Sequence, residues 1–372
     1  MSPLEQLIIE TINREGRITF EKFMDMALYE PGLGYYSTGK ARVGRSGDFY
    51  TSSHLHPAFG LMLAKQVEEM WENMERPADF GVVEIGSGAG YLCLDMMTYL
   101  SGREIFPHMN YIIVERNPLQ QQRQRELTDR FGDKVRWTAS LAGVRGIYGC
   151  ILSNELLDAF PVHVVCMKDK LEEVYVTFDG SSFREETGPL STPALNEYFD
   201  DISVVLEKGY RTEVNLGIKD WLGEVEAALS RGYLLTVDYG YSSRDYYSED
   251  RSRGTLLCYH RHELNEDPLA LVGEQDITAH VNFSSLKKWG EESGLTAAGY
   301  CSQGMFLLSL GIDEEIKRLH SESGDYASEL GRIKQLIMPQ GLGESHMVMA
   351  QRKGDFRSGL SGFRMTNRLR YL

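Results

Sequence analysis

The residues of this 372-residue chain with the types and spacing to do chemistry are a glycine run and the carboxylates around it. Glu84-Ile85-Gly86-Ser87-Gly88-Ala89-Gly90 follows a strand-like run from Val82 and leads into an amphipathic run from Tyr91 to Leu100. Glycines at alternate positions make a turn tight enough for backbone N–H groups to reach a ligand. A strand, such a turn and a helix N-terminus together form a nucleotide-binding first βα unit. The spacing is G-x-G-x-G rather than the pyrophosphate fingerprint G-x-G-x-x-G, and Glu84 stands two residues before the first glycine. An acid there suits a cationic or hydroxyl-rich ligand and disfavours a pyrophosphate. A second strand, Tyr111 to Val114, ends in Glu115, a carboxylate placed to accept from ribose hydroxyls. A fourth, Tyr148 to Ser153, delivers Asn154, Glu155 and Asp158 to its carboxyl end, where open α/β sheets bind ligands.

The elements that must position these groups alternate along the chain. Residues 1–30 carry apolar side chains at helical spacing and end at Pro31-Gly32-Leu33-Gly34. Gly39 to Ser53 is a loop rich in Gly, Ser and Thr, read either as a surface loop or as a lid that excludes water. A helix is expected from His56 to Met74, with Pro57 in its first turn. Pro118 to Phe131 reads as a solvated polar helix, and Lys134 to Trp137 as an edge strand. Glu155 and Asp158, at i and i+3, are expected on one helical face. The plainer alternative is an N-cap with a solvated acidic first turn.

Val162–Met167 and Leu171–Phe178 alternate like a hairpin, within an insertion that interrupts the α/β pattern. A fifth strand, Tyr233 to Gly240, carries Asp238 to the same rim, and Leu295–Tyr300 and Ser345–Gln351 read as the last two. This divides the chain into an N-terminal helical region with a lid loop (1–57), a cofactor-binding half (58–161), an insertion or cap (162–230), a second core half (231–351) and a basic tail (352–372). The tail holds six Lys/Arg against one Asp, and reads either as mobile or as docked on an acidic body.

Composition narrows the function. The chain is 42% hydrophobic with a formal charge of −15, enough to bury a core and unfavourable to non-specific nucleic-acid or anionic-membrane binding. No apolar run is long enough to span a bilayer, and the first ten residues lack the pattern of a secretory signal. Five scattered cysteines fit free thiols in a reducing cytoplasm, and the nine histidines lack metal-site spacing, so no metal is expected.

These pieces resemble the MidA-like family of S-adenosylmethionine (SAM)-dependent methyltransferases over residues 12–351. The resemblance rests on Ala27-Leu28-Tyr29-Glu30-Pro31 with Gly34-Tyr35-Tyr36, on Gly47-Asp48-Phe49-Tyr50-Thr51, on the glycine motif, and on Asn154-Glu155 through Asp158-Ala159-Phe160-Pro161. It continues in Asp238-Tyr239-Gly240, in Asp276 to Phe283 and in Gln303 to Leu308. It implies an α/β fold, a class I (Rossmann-like) seven-stranded sheet with N-terminal helices and an inserted cap. It implies SAM as cofactor, held by Glu84, Gly86, Ser87, Gly88, Gly90, Glu115 and Asn154. Mitochondrial members are associated with arginine dimethylation on a respiratory complex I subunit and with assembly of that complex, which implies a protein partner bearing the arginine.

On that reading Glu155 and Asp158, with Asn154, grip the guanidinium, since carboxylates pair with its fork of donors. Tyr35, Asp48, Thr51, Asp238, Asp276 and His280 would serve the substrate or the lid. Phe160 stands where Leu is usual before the proline, and the tail lies outside the family pattern. A base-amine acceptor is disfavoured, because Asn154-Glu155-Leu156-Leu157 is not Asn-Pro-Pro-Tyr. A SAM-binding or cofactor-free scaffold is the alternative class. An NAD(P) oxidoreductase is disfavoured by the glycine spacing.

Overall fold

Short runs of β-branched and apolar residues build a central sheet. Seven of its eight strands, one more than the seven expected, are β1 (Phe80–Ile85), β2 (Met109–Val114), β3 (Val135–Thr138), β4 (Ile147–Asn154), β5 (Leu229–Tyr241), β6 (Thr296–Ser302) and β7 (His346–Lys353). They lie in the order β3-β2-β1-β4-β5-β7-β6 within the largest sheet. β3 through β5 pair in parallel, while β7 runs antiparallel to both β5 and β6. The order reverses at β1, which has β2 on one side and β4 on the other, so the crevice beyond its carboxyl end is the switch point where such sheets take ligands. This computed structural model describes residues 1–38, 51–261, 263–356 and 359–372.

The chain divides into two compact units, and the sheet belongs to the one made of Tyr50–Leu156, Trp221–Gly240 and Lys287–Leu372. The helix Ala58–Asn73 packs beside Tyr91–Leu100, and Met62, Val67, Met70, Met96, Met97 and Leu100 are fully buried against Phe80, Val82, Tyr111 and Ile113. Four methionines in this layer fill it with adaptable side chains. The first helix starts at Ala58 rather than at His56, because the His56 ring caps it: Nδ1 accepts from Ala58 N–H at 3.0 Å. Three helices, Gln303–Ser309, Ile312–Glu322 and Tyr326–Ile337, join β6 to β7.

Of the two readings of the tail, docking holds for residues 359–372. Gly362 N–H donates to buried Gln66, the backbone and hydroxyl of Ser361 both reach Glu69 at 2.8 Å, and the Phe363 ring lies 5.3 Å from that of Phe306.

The other unit comprises Met1–Phe49, Leu157–Asp220 and Tyr241–Leu286. Its two N-terminal helices, Pro3–Glu15 and Phe20–Tyr29, start on side-chain caps from Ser2 and Thr19. Ser2 and Glu5 form a full capping box. The expected hairpin is present as His163–Met167 against Leu171–Phe178, extended by Phe183–Gly188 and flanked by Ile18–Thr19 and Arg211–Val214. Leu4, Ile8, Phe20 and Phe23 bury against Val162, Val164, Val174 and Val176. A small second sheet joins Leu257–His260 to Glu263–Asn265 and Asp276–Thr278.

At the amino end of the central sheet Gly81, Gly149 and Gly232 stand side by side across β1, β4 and β5. A Cβ on Gly149 would lie 1.9 Å from the carbonyl oxygen of Gly81, and one on Gly232 equally close to that of Gly149. Three parallel strands therefore meet backbone to backbone, and a methyl group there must push them apart. Gly149→Ala is expected to cost about 2 kcal/mol or more in urea unfolding. Gly102→Ala, where an added Cβ meets nothing within 4 Å, should stay within about 0.5 kcal/mol.

Candidate functional site

The turn after β1 has its three glycines at positive φ, +72° at Gly86, +52° at Gly88 and +89° at Gly90. L-residues pay for that conformation, which accounts for the alternate glycines. Gly86 N–H is tied to Val114 O and Gly90 N–H to Ser87 O. A Cβ on Gly88 would meet nothing within 4 Å among the described residues, so these leave open space at the tip of the turn. The following helix, Tyr91–Leu100, has no side-chain cap, which leaves its first N–H groups for something else. Ser87, between the glycines, is buried.

Glu84 points into the layer under this turn, only 3% exposed, and accepts from the Tyr111 hydroxyl at 2.8 Å. Burial pushes its carboxyl up to about 7, against the pull of the Tyr111 and Ser87 hydroxyls. Glu115, half-buried at the end of β2, accepts from Asn117 N–H at 2.8 Å and from Gln124 at 3.4 Å. Its carboxyl is also raised, chiefly by burial, with the hydrogen bonds opposing.

Gln124 corrects the reading of Pro118–Thr128 as a solvated face. It is fully buried, donates to Gly88 O at 2.8 Å and accepts from Trp137 Nε1 at 3.0 Å. Gln120, one turn earlier, also reaches Gly88 O, and Gln121 holds Glu115 O. The signal available in the sequence was the i, i+4 pair of amides on a helix that follows an acid-tipped strand.

At the end of β4, Asn154 Oδ1 is buried with no hydrogen-bond partner among the described residues, while its Nδ2 approaches Glu155 Oε1 at 3.4 Å. Glu155 has φ +48° and donates its N–H to Val237 O. That left-handed residue turns the chain, so no helix follows, and the expected helical face shared by Glu155 and Asp158 does not exist. Glu155 falls within the stretch Tyr50–Leu156 of one unit, and Asp158 within the stretch Leu157–Asp220 of the other. The Glu155 side chain is 4% exposed; its Oε1 accepts from Ser52 N–H at 3.0 Å and lies 3.6 Å from His346 Nε2. Asp238, fully buried at the end of β5, accepts from Leu156 N–H and from Tyr239 N–H, and so holds the turn after β4. Thr51 Oγ1 meets His54 Nδ1 at 2.7 Å. His54 itself, 4.9 Å from the Tyr91 ring, was not singled out from the sequence; burial holds its imidazole below its ordinary value against the raising charge of Glu155.

The remaining candidates belong to the other unit. Tyr35 is buried against Tyr36, whose hydroxyl donates to buried Asp276 at 2.8 Å. Burial first, and then the charge of Asp276, holds the Tyr36 hydroxyl well above its ordinary value. Asp158 is buried and its carbonyl accepts from Ala279 N–H; the His280 ring faces Tyr241. Asp48, and the rest of the loop from 39 to 50, lie outside the described residues. Among the described residues no group of His, Cys, Asp and Glu could hold a metal ion, and no helix is long and apolar enough to cross a membrane.

The strand order, the glycine turn at the switch point and the acids at the neighbouring strand ends define a class I SAM-dependent methyltransferase. The chain belongs to the Methyltransf_28 family, described as "Putative S-adenosyl-L-methionine-dependent methyltransferase", whose model matches residues 62–301. It is 31% identical to a COG1565 superfamily member from Burkholderia thailandensis, crystallised bound to S-adenosyl-homocysteine, with a TM-score of 0.91 over 99% of this chain and 96% of that one. Curated relatives include the protein arginine methyltransferase NDUFAF7 homolog, mitochondrial, of Drosophila melanogaster, 27% identical over 82% of this chain and 74% of its own length. The protein arginine methyltransferase NDUFAF7, mitochondrial, of Mus musculus is 26% identical over 92% and 83%.

SAM is thus the cofactor. Two features of this structure fit it: the open space above Gly88 and the orphaned, buried Asn154 Oδ1. The expectation of a cytoplasmic protein is overturned by these relatives, which are named as mitochondrial.

Glu84 makes stability pH-dependent. Folded, it keeps its proton up to about pH 7; unfolded, it releases it near 4.5. The native state binds more protons in that window, so this contribution falls as pH rises through it and stays lost above. Glu84→Gln is expected to match the wild type at pH 4 and to exceed it by up to about 3 kcal/mol at pH 8 in urea unfolding.

Proposed function

We propose that this methyltransferase modifies an arginine of a protein partner, and that Glu155 is the carboxylate that receives the guanidinium. The observation that carries this is a buried carboxylate at the end of β4, next to the glycine turn: Ile85 of β1 is in register with Ser153, two residues before Glu155. The names of the relatives as protein arginine methyltransferases support the acceptor class. A respiratory complex I subunit is the partner that the family resemblance implies.

When bound, SAM supplies a methyl group activated by its sulfonium charge. The chain's own residues do the rest by placement. Glu115 would take the ribose hydroxyls, with Gln124 fixing its carboxylate from behind. Glu84 and Ser87 would lie under the cationic end, and the backbone of Gly86, Gly88 and Gly90 would line the approach. Asn154 Oδ1 would gain the donor it lacks. Glu155 would hold the guanidinium, which stays charged at any working pH, and draw its positive charge to one side. The nitrogen on the far side is then the better nucleophile.

The full chain, incubated with SAM and arginine-bearing peptides, should yield methylarginine by mass spectrometry. Gly88→Val should abolish S-adenosyl-homocysteine binding in calorimetry, because its side chain fills the open space and strains a left-handed backbone. Glu155→Gln should keep that affinity within about threefold while lowering methylation on the order of 10²-fold. Wild-type methylation by Glu155→Gln would sink the assignment, and methyl transfer to lysine alone would sink the acceptor class.

A further inference from the structure

His346 opens β7, and no part of the reading so far uses it. It is fully buried, and its Nε2 has no hydrogen-bond partner among the described residues. A polar nitrogen stranded in that way is costly unless a second state of the protein satisfies it. Glu155 Oε1 lies 3.6 Å from it, beyond a hydrogen bond but within ion-pair range.

The ring is not free to turn from that direction. It packs at a 46° tilt against the Tyr239 ring, with ring centres 3.9 Å apart, because the antiparallel register sets Tyr239 opposite His346. On its other edge Ser345 Oγ sits 3.1 Å from Nδ1. That contact suits either tautomer, since a hydroxyl can accept or donate, but an Nε2 lone pair facing the Glu155 carboxylate would be repelled, so the proton belongs on Nε2, as it also does in a charged imidazolium. The group aimed at Glu155 is then a donor.

The carboxylate is asymmetric in the same sense. Glu155 Oε1 accepts from Ser52 N–H at 3.0 Å and from Asn154 Nδ2 at 3.4 Å, and the Ser52 hydroxyl in turn donates to Gln303 Oε1 at 2.9 Å. Oε1 is the oxygen that the protein claims.

From this we infer that His346 is a positioning residue for Glu155. Its Nε2–H closes on Oε1 when an acceptor is engaged, completes the donors around that oxygen, and leaves Oε2 as the single oxygen offered to the incoming cation. The inference rests on the proposed role of Glu155. It adds that Glu155 binds end-on through one oxygen rather than side-on through two. A charge-assisted hydrogen bond from a buried donor is short and directional, so it fixes the carboxylate plane where a longer contact would not.

The test uses the full chain with S-adenosyl-homocysteine bound and the His346 ring nitrogens followed by ¹⁵N NMR. N-acetyl-arginine methylamide serves as a single-arginine probe. The expected result is a slowly exchanging Nε2–H on His346 that moves downfield when the probe is added and is lost from that position in Glu155→Ala. His346→Phe keeps the packing on Tyr239 without a donor and should weaken the probe about tenfold. His346→Gln, which restores an N–H near the same place, should return affinity to within about threefold. S-adenosyl-homocysteine binding should hold in both variants, which separates positioning from loss of fold.

A His346 Nε2–H indifferent to Glu155→Ala, or equal probe affinity in the Phe and Gln variants, overturns the proposal. A His346–Glu155 hydrogen bond that forms with the cofactor product alone, in a protein that binds no arginine probe, supports the positioning role and overturns the arginine reading of Glu155.

Discussion

A carboxylate taken out of water survives only where donors reach it, and that constraint organises the carboxyl edge of the central sheet. Glu84, Glu115, Glu155 and Asp238 stand at or near the ends of β1, β2, β4 and β5. Each is met by donors from its own unit: the Tyr111 hydroxyl, the Asn117 N–H with Gln124, the Ser52 N–H, and the N–H groups of Leu156 and Tyr239. Four acids on four consecutive parallel strands would repel one another and resist burial without this. With it, the rim holds four buried or half-buried carboxyl groups beside the turn that takes the cationic cofactor. The same donors order the loops, since a backbone N–H committed to a carboxylate fixes the turn that carries it.

The four acids are not equivalent. Asp238 spends both oxygens on backbone N–H groups and acts as a brace for the turn after β4. Glu84 is the most deeply desolvated of those with a raised pKa on the rim, titrating near neutrality, so a cation placed above it would draw it toward the ionised form. Glu115 is shared between backbone and the amide of Gln124, which also grips the glycine turn through Gly88 O. One buried glutamine therefore couples the two cofactor-side motifs mechanically. At the far end of the sheet the glycine row of Gly81, Gly149 and Gly232 brings β1, β4 and β5 into close backbone contact. These are the strands whose carboxyl ends carry the glycine turn, Glu155 and Asp238.

Two expectations failed for one reason. The helix Pro118–Thr128 looks solvated because its side chains are polar, yet Gln124 is fully buried. Glu155 and Asp158 look like one helical face because they are three apart, yet a left-handed residue at Glu155 breaks the chain direction. Periodicity reports which residues share a face of an assumed element. It carries no information on what lies opposite that face, nor on a single positive φ.

Much of this protein was legible in its residues alone. The glycine spacing with Glu84 before it, the acid at the end of the second strand and the short β-branched runs specify the parallel core and its cofactor class, because backbone clearance, strand propensity and charge are local properties. The motifs from Ala27 to Leu308 specify the family. Only the tertiary structure decided that Gln124 binds the glycine turn, that Ser52 and His346 converge on one oxygen of Glu155, and that the basic tail docks through Gly362 and Phe363 on Gln66 and Phe306. Each of those contacts joins residues far apart in the chain, and their meeting depends on strand order and register. Neither is written in any one stretch of sequence.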